Sequence, residues 1–102
     1  MEASRLKLQT QLEVLLGSRN VYHQPPSSKT MQYPAIRYSR KSIDPRYADN
    51  KKYLRKTCYE LIVIDYDSNN PVIEKLLELP YCTYDRHYIA SNLHHDVLTL
   101  YF

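Results

Sequence analysis

Apolar residues open the chain at a helical spacing: Leu8, Leu12, Leu15 and Leu16 stand at i, i+4, i+7 and i+8, the stripe of an amphipathic helix. Gly17, the only glycine, follows the stripe, where its tolerance of positive φ closes a helix at low steric cost. The spacing predicts a first helix over residues 3–16. The pattern then lapses. Residues 18–34 show neither a helical nor a strand period, and Pro25-Pro26 forbids a helix and disfavours a central strand. A connection of this length in a small domain is usually functional, so the stretch reads as a candidate contact arm.

Alternation takes over next. Residues 35–39 read as a short strand with Ile36 and Tyr38 on one face, and residues 40–50 as a polar, basic loop around Pro45. Residues 51–65 give the longest ordered signal. Tyr53, Thr57, Tyr59, Leu61 and Val63 fall on one face, and Leu54, Cys58, Ile62 and Ile64 on the other. The later half is apolar on both faces, as expected of a strand covered on both sides. Asp67-Ser68-Asn69-Asn70 is a turn cluster, and Asn70-Pro71 has the order of an N-cap followed by proline at the first helical position. A second helix carries Val72, Ile73, Leu76 and Leu77, and Pro80 stops it near Leu79. Two more strands follow, 81–89 and 93–102, joined by the turn Ala90-Ser91-Asn92. The order α-β-β-α-β-β predicts an α+β fold, two helices packed on one face of a mostly antiparallel four-stranded sheet. At 102 residues it is one domain, with extended loops at 18–34 and 40–52.

Charge sharpens the division of the chain. Residues 1–56 hold 12 Lys and Arg against four acids, whereas residues 57–102 hold two against seven. The net +3 therefore conceals halves of +8 and −5, which suggests two surfaces of opposite sign. Eleven Tyr against one Phe and no Trp favours half-exposed sheet faces or interfaces, because a Tyr ring buries its body and keeps its hydroxyl wet. No apolar run approaches the roughly 20 residues that span a bilayer, and Met1-Glu2-Ala3-Ser4-Arg5 lacks the apolar stretch of a secretory signal. Cys58 and Cys82 stand 24 positions apart, which fits neither a zinc site nor a redox motif, so both are expected as reduced, packed thiols.

Catalytic and metal chemistry find little support. The histidines are His23, His87, His94 and His95. On a strand, His94 and His95 point to opposite faces. His87 and His95 are placed to meet across the hairpin near Asp85 or Asp96, but a metal needs at least three converging ligands and no third is apparent. Neither cysteine lies in an activating motif, and one glycine cannot build a G-x-S-x-G elbow or a phosphate-cradling loop. The chain is expected to be no enzyme, with no cofactor and no metal. Basic residues crowd one segment, with Arg37, Arg40, Lys41, Arg46, Lys51, Lys52, Arg55 and Lys56 interleaved with Tyr38, Tyr47 and Tyr53. Such a run can neutralise phosphates and stack on bases, or it can face an acidic protein.

The C-terminal run Leu79-Pro80-Tyr81-Cys82-Thr83-Tyr84-Asp85-Arg86-His87-Tyr88 leads into Asn92-Leu93-His94-His95-Asp96-Val97-Leu98-Thr99-Leu100-Tyr101-Phe102. It resembles the C-terminal pattern of the tail terminators, also called tail-completion proteins, in the neck of long-tailed bacteriophages. Tyr33-Pro34-Ala35-Ile36 and Tyr47-Ala48-Asp49-Asn50-Lys51 are also similar to segments of that family, so the resemblance covers residues 18–102. It implies an α+β structural protein that forms a ring, a hexamer, at the head–tail interface of the virion after assembly in the host cytoplasm. One face of the ring would cap the tail tube protein and the other would meet the head-side connector or stopper. DNA would pass through the lumen without sequence recognition. Arg37, Arg40, Lys41, Arg46, Lys51 and Lys52 are then candidate assembly contacts, and Asp85, Arg86, His87 and Asp96 candidates for polar pairing within the hairpin or between subunits. Another neck component, an adaptor or stopper, fits the same motifs. From a different class, so does a small basic nucleic-acid-binding module.

Overall fold

The computed structural model describes residues 2–26, 29–43 and 57–102. Arg46, Lys51 and Lys52, together with the first six residues of the strand expected over 51–65, lie outside the described residues. The elements run α1 (Glu2–Leu16), β1 (Val21–His23), β2 (Ala35–Ile43), β3 (Thr57–Asp65), α2 (Val72–Leu77), β4 (Cys82–Ala90) and β5 (Leu93–Tyr101). All five strands join one sheet in the order β1-β2-β3-β5-β4. β1 runs parallel to β2, and every other pair is antiparallel.

The expected four-stranded sheet and its α-β-β-α-β-β order are therefore wrong. A fifth strand, β1, lies within the stretch expected to be an irregular arm. Val21-Tyr22-His23 is too short to display a period, and its only strand partner is β2, so nothing local announces it. Backbone bonds secure both of its ends: Ile36 N donates to the Asn20 carbonyl at 2.9 Å, and Gln24 N to the Tyr38 carbonyl at 2.8 Å. The remainder of the connection is fastened as well. Gln32 N donates to the Tyr22 hydroxyl at 3.1 Å, and Tyr33 meets Tyr66 edge to face. A second correction concerns β2, which continues to Ile43, so Arg40 and Lys41 lie on a strand and not in a loop.

Register explains the core. Ile36 pairs with Val63, Tyr38 with Leu61, Tyr59 with Leu100 and Leu61 with Leu98, which sets these apolar residues on one face of the sheet. Leu8 and Leu12 of α1 and Val72 and Leu76 of α2 pack against that face in a single cluster. The helix-one stripe closes where expected: Gly17 has φ +79°, and its N–H and that of Ser18 both donate to the Glu13 carbonyl. Asn70 caps α2, its Oδ1 accepting from Val72 N at 2.9 Å while its Nδ2 donates to Asp65 at 2.7 Å. Asp65 and Asp67 each accept a backbone N–H two residues on, which folds the turn between β3 and α2. No helix among the described residues is long and apolar enough to cross a membrane.

Candidate functional site

The hairpin of β4 and β5 joins a buried strand to an exposed one. β5 lies between β3 and β4 and buries Leu93, Asp96, Val97, Leu98 and Leu100. β4 ends the sheet, and every residue from Thr83 to Ala90 is exposed. Among them are Tyr84 at 43%, Tyr88 at 37% and Ile89 at 62%. Large apolar side chains grouped on an unpaired edge are uncommon on a monomer surface, where edges are usually shielded.

The turn is tighter than expected, and this decides which side chains meet. Ala90 pairs with Leu93, so the loop is only Ser91-Asn92, with φ of 53° and 64°. Two positive φ values mark the mirror-image turn whose twist suits a hairpin. The extra residue is accommodated further along, where a bulge between Tyr84 and Arg86 leaves Asp85 without a Cα partner. Without it, the register that sets Cys82 opposite Leu100 would bring His87 opposite His95. With it, His87 pairs with Asp96. The expected meeting of His87 with His95 is replaced by two separate contacts. His87 Nε2 lies 3.0 Å from His94 Nδ1 with the rings stacked, and Tyr88 stacks on His95 at 4.7 Å.

The four hairpin residues singled out in the sequence thus find different partners. Asp96, buried, accepts the Tyr84 hydroxyl at 2.6 Å. Asp85, at the bulge, accepts the Thr99 hydroxyl at 2.7 Å. The Arg86 guanidinium lies over the Tyr88 ring at 5.8 Å. Each contact ties β4 to β5 or packs along β4, and together they fix the shifted register. The bond to Asp96 pushes the Tyr84 phenol up to about 12, because a carboxylate acceptor and the nearby negative charge favour the protonated hydroxyl. Burial and then the Asp85 charge raise the half-buried Cys82 thiol, which disfavours the reactive thiolate. Among the described residues no group of three or more His, Cys, Asp or Glu is arranged to hold a metal ion.

The described basic candidates cluster at the other end of the sheet. Arg37, Arg40 and Lys41 are exposed on β2, and a bulge between Arg40 and Ser42 leaves Lys41 unpaired. β1 pairs only with residues 36–38, so beyond Tyr38 β2 is flanked by no described strand. The hairpin and the basic strand are not brought together within one molecule; β3 and β5 separate them.

Sequence reasoning missed Gln9. Its Oε1 accepts the Tyr38 hydroxyl at 2.6 Å, and its Nε2 donates to the Val21 carbonyl at 2.9 Å and to Glu13 at 3.0 Å. One amide thereby fastens α1 to β1 and β2. A glutamine adjoining the Leu8–Leu12 stripe carries no signal until the sheet brings Tyr38 beneath it. An open cleft of about 400 Å³ lies beside the start of β4, lined by Gln11, Leu79, Pro80, Tyr81, Leu100 and Phe102 among others. No family model, curated protein or solved structure matches the chain.

Proposed function

We propose that this chain is a structural subunit that assembles into a ring, of the kind the tail terminators form on a phage tail tube. The observation that supports it is the β4 edge, a nine-residue strand at the end of the sheet exposing Tyr84, Tyr88 and Ile89. Burying a Tyr or Ile side chain removes enough apolar surface to contribute about 1.5–3 kcal/mol, so such an edge is better suited to a partner than to water. The hairpin itself is held rigid by cross-strand bonds, which reduces the ordering cost of docking it. A ring built from copies joined by unlike surfaces keeps two chemically different faces, one for the tube and one for the connector.

The test is assembly followed by capping. Light scattering of the purified chain should give the mass of a closed multimer. Added to polymerising tail tube protein, the chain should end tube growth, seen by negative-stain imaging as shorter tubes with a closed end. A stable monomer that binds DNA with a steep salt dependence would overturn this reading and favour the basic nucleic-acid module, whose footprint would be Arg37, Arg40 and Lys41.

A further inference from the structure

We infer that β4 docks the basic β1–β2 end of a second copy of this chain, head to tail; this rests on the ring reading and names the two surfaces that meet. The first support is the contrast between the edges. β2 beyond Tyr38 is shielded in the usual manner, by a bulge that carries a lysine and by a neighbouring arginine. β4 has neither Lys nor Pro. Its own bulge at Asp85 leaves the run from Arg86 to Ala90 regularly paired on one side and open on the other. That open run includes Tyr88 and Ile89, the apolar part of the edge.

The second support is charge. Within residues 2–43, which form α1, β1 and β2, seven Lys and Arg stand against two acids. Within residues 57–102, which form β3, α2, β4 and β5, two stand against seven. The two groups carry balances of +5 and −5, and strand order puts β1 and β2 at one end of the sheet and β5 and β4 at the other. Packing β4 on β4 of another copy would oppose like ends and bring Glu78 and Asp85 of both copies together. Packing β4 on the β1–β2 end sets them against Arg37, Arg40 and Lys41. Juxtaposed like charges cost several kcal/mol at an interface, whereas opposite charges speed docking and fix its direction. Electrostatics therefore selects the heterologous contact, the one from which rings are built.

A charge-swap experiment tests this. Arg37→Glu with Arg40→Glu makes both ends acidic, and Glu78→Lys with Asp85→Lys makes the β4 end basic. Each double variant, checked for folding by far-UV circular dichroism, should shift from the multimer mass to the monomer mass. An equimolar mixture should recover the multimer, because the acidic ends then find basic ones. Glu74→Lys with Glu78→Lys replaces the second variant if loss of the Asp85–Thr99 bond unfolds it. Folded variants that keep the multimer mass, or that dissociate without recovering on mixing, overturn the inference while the ring reading stands. A folded wild-type chain that is monomeric overturns both.

Discussion

Two tyrosines mark the two ends of the sheet, and each hydroxyl donates to a side-chain oxygen 2.6 Å away. Tyr38, on β2, is fully buried beneath α1 and donates to Gln9, with the Arg5 guanidinium donating back to its oxygen at 3.3 Å. Tyr84, on β4, is 43% exposed and donates to Asp96. Both phenols are held above the ordinary value, for different reasons. Burial raises Tyr38 against the lowering effect of Arg5, whereas the acceptor carboxylate raises Tyr84. Similar bonds therefore serve different ends. At the β1–β2 end a polar network is sealed inside the fold and joins three elements; at the β4 end it fixes the register of a hairpin whose outer edge faces solvent.

The largest expected effect separates packing from surface. Tyr38→Ala removes a buried ring and should cost about 3–5 kcal/mol in a urea titration. Ile89→Ala, on the exposed edge, should stay within about 0.5 kcal/mol as long as the chain is monomeric. Equal losses would mean that β4 belongs to the core of the subunit. A smaller effect isolates the sealed network. Gln9→Ala leaves the Tyr38 hydroxyl and the Val21 carbonyl short of a partner beneath α1, at a cost of about 1–3 kcal/mol. A neutral result would show that water replaces the amide and that α1 is held by Leu8 and Leu12 alone.

The smallest effect is a pH dependence. The folded-state pKa of Tyr84, about 12, exceeds the ordinary phenol value near 10. Its bond to Asp96 therefore contributes stability that is complete below about pH 10 and lost as pH rises through about 12. Tyr84→Phe should remove that portion of the alkaline decline, so the stability difference between wild type and variant should narrow as pH rises from 10. A difference that stays constant over this range would mean that the hydroxyl does not rely on Asp96.

Much of this arrangement was legible in the sequence, for reasons of local physics. The Leu8–Leu12 spacing and Gly17 state a helix and its end, because both depend on neighbours within two turns. Asn70 before Pro71 states a helix start in the same way, and alternation across residues 57–65 and 93–101 states strands. The register of the hairpin was not legible. Ala90-Ser91-Asn92 reads equally well as a three-residue turn with His87 opposite His95, or as a two-residue turn with one residue displaced into a bulge. The competing arrangements differ in what Asp85 finds across the strand, and Thr99, which supplies its hydroxyl, lies 14 residues away.

The sequence by itself determined the two helices, four of the strands, and the separation of basic from acidic residues along the chain. Tertiary structure alone decided that Val21–His23 is a strand, that Arg40 and Lys41 extend β2, and that β5 lies inside the sheet while β4 lies at its edge. Periodicity records which face of an element turns inward, but not which element lies beside it. Neighbours across a sheet are chosen by the whole set of faces that must be buried together, and that choice makes one half of an alternating hairpin core and leaves the other half open to a partner.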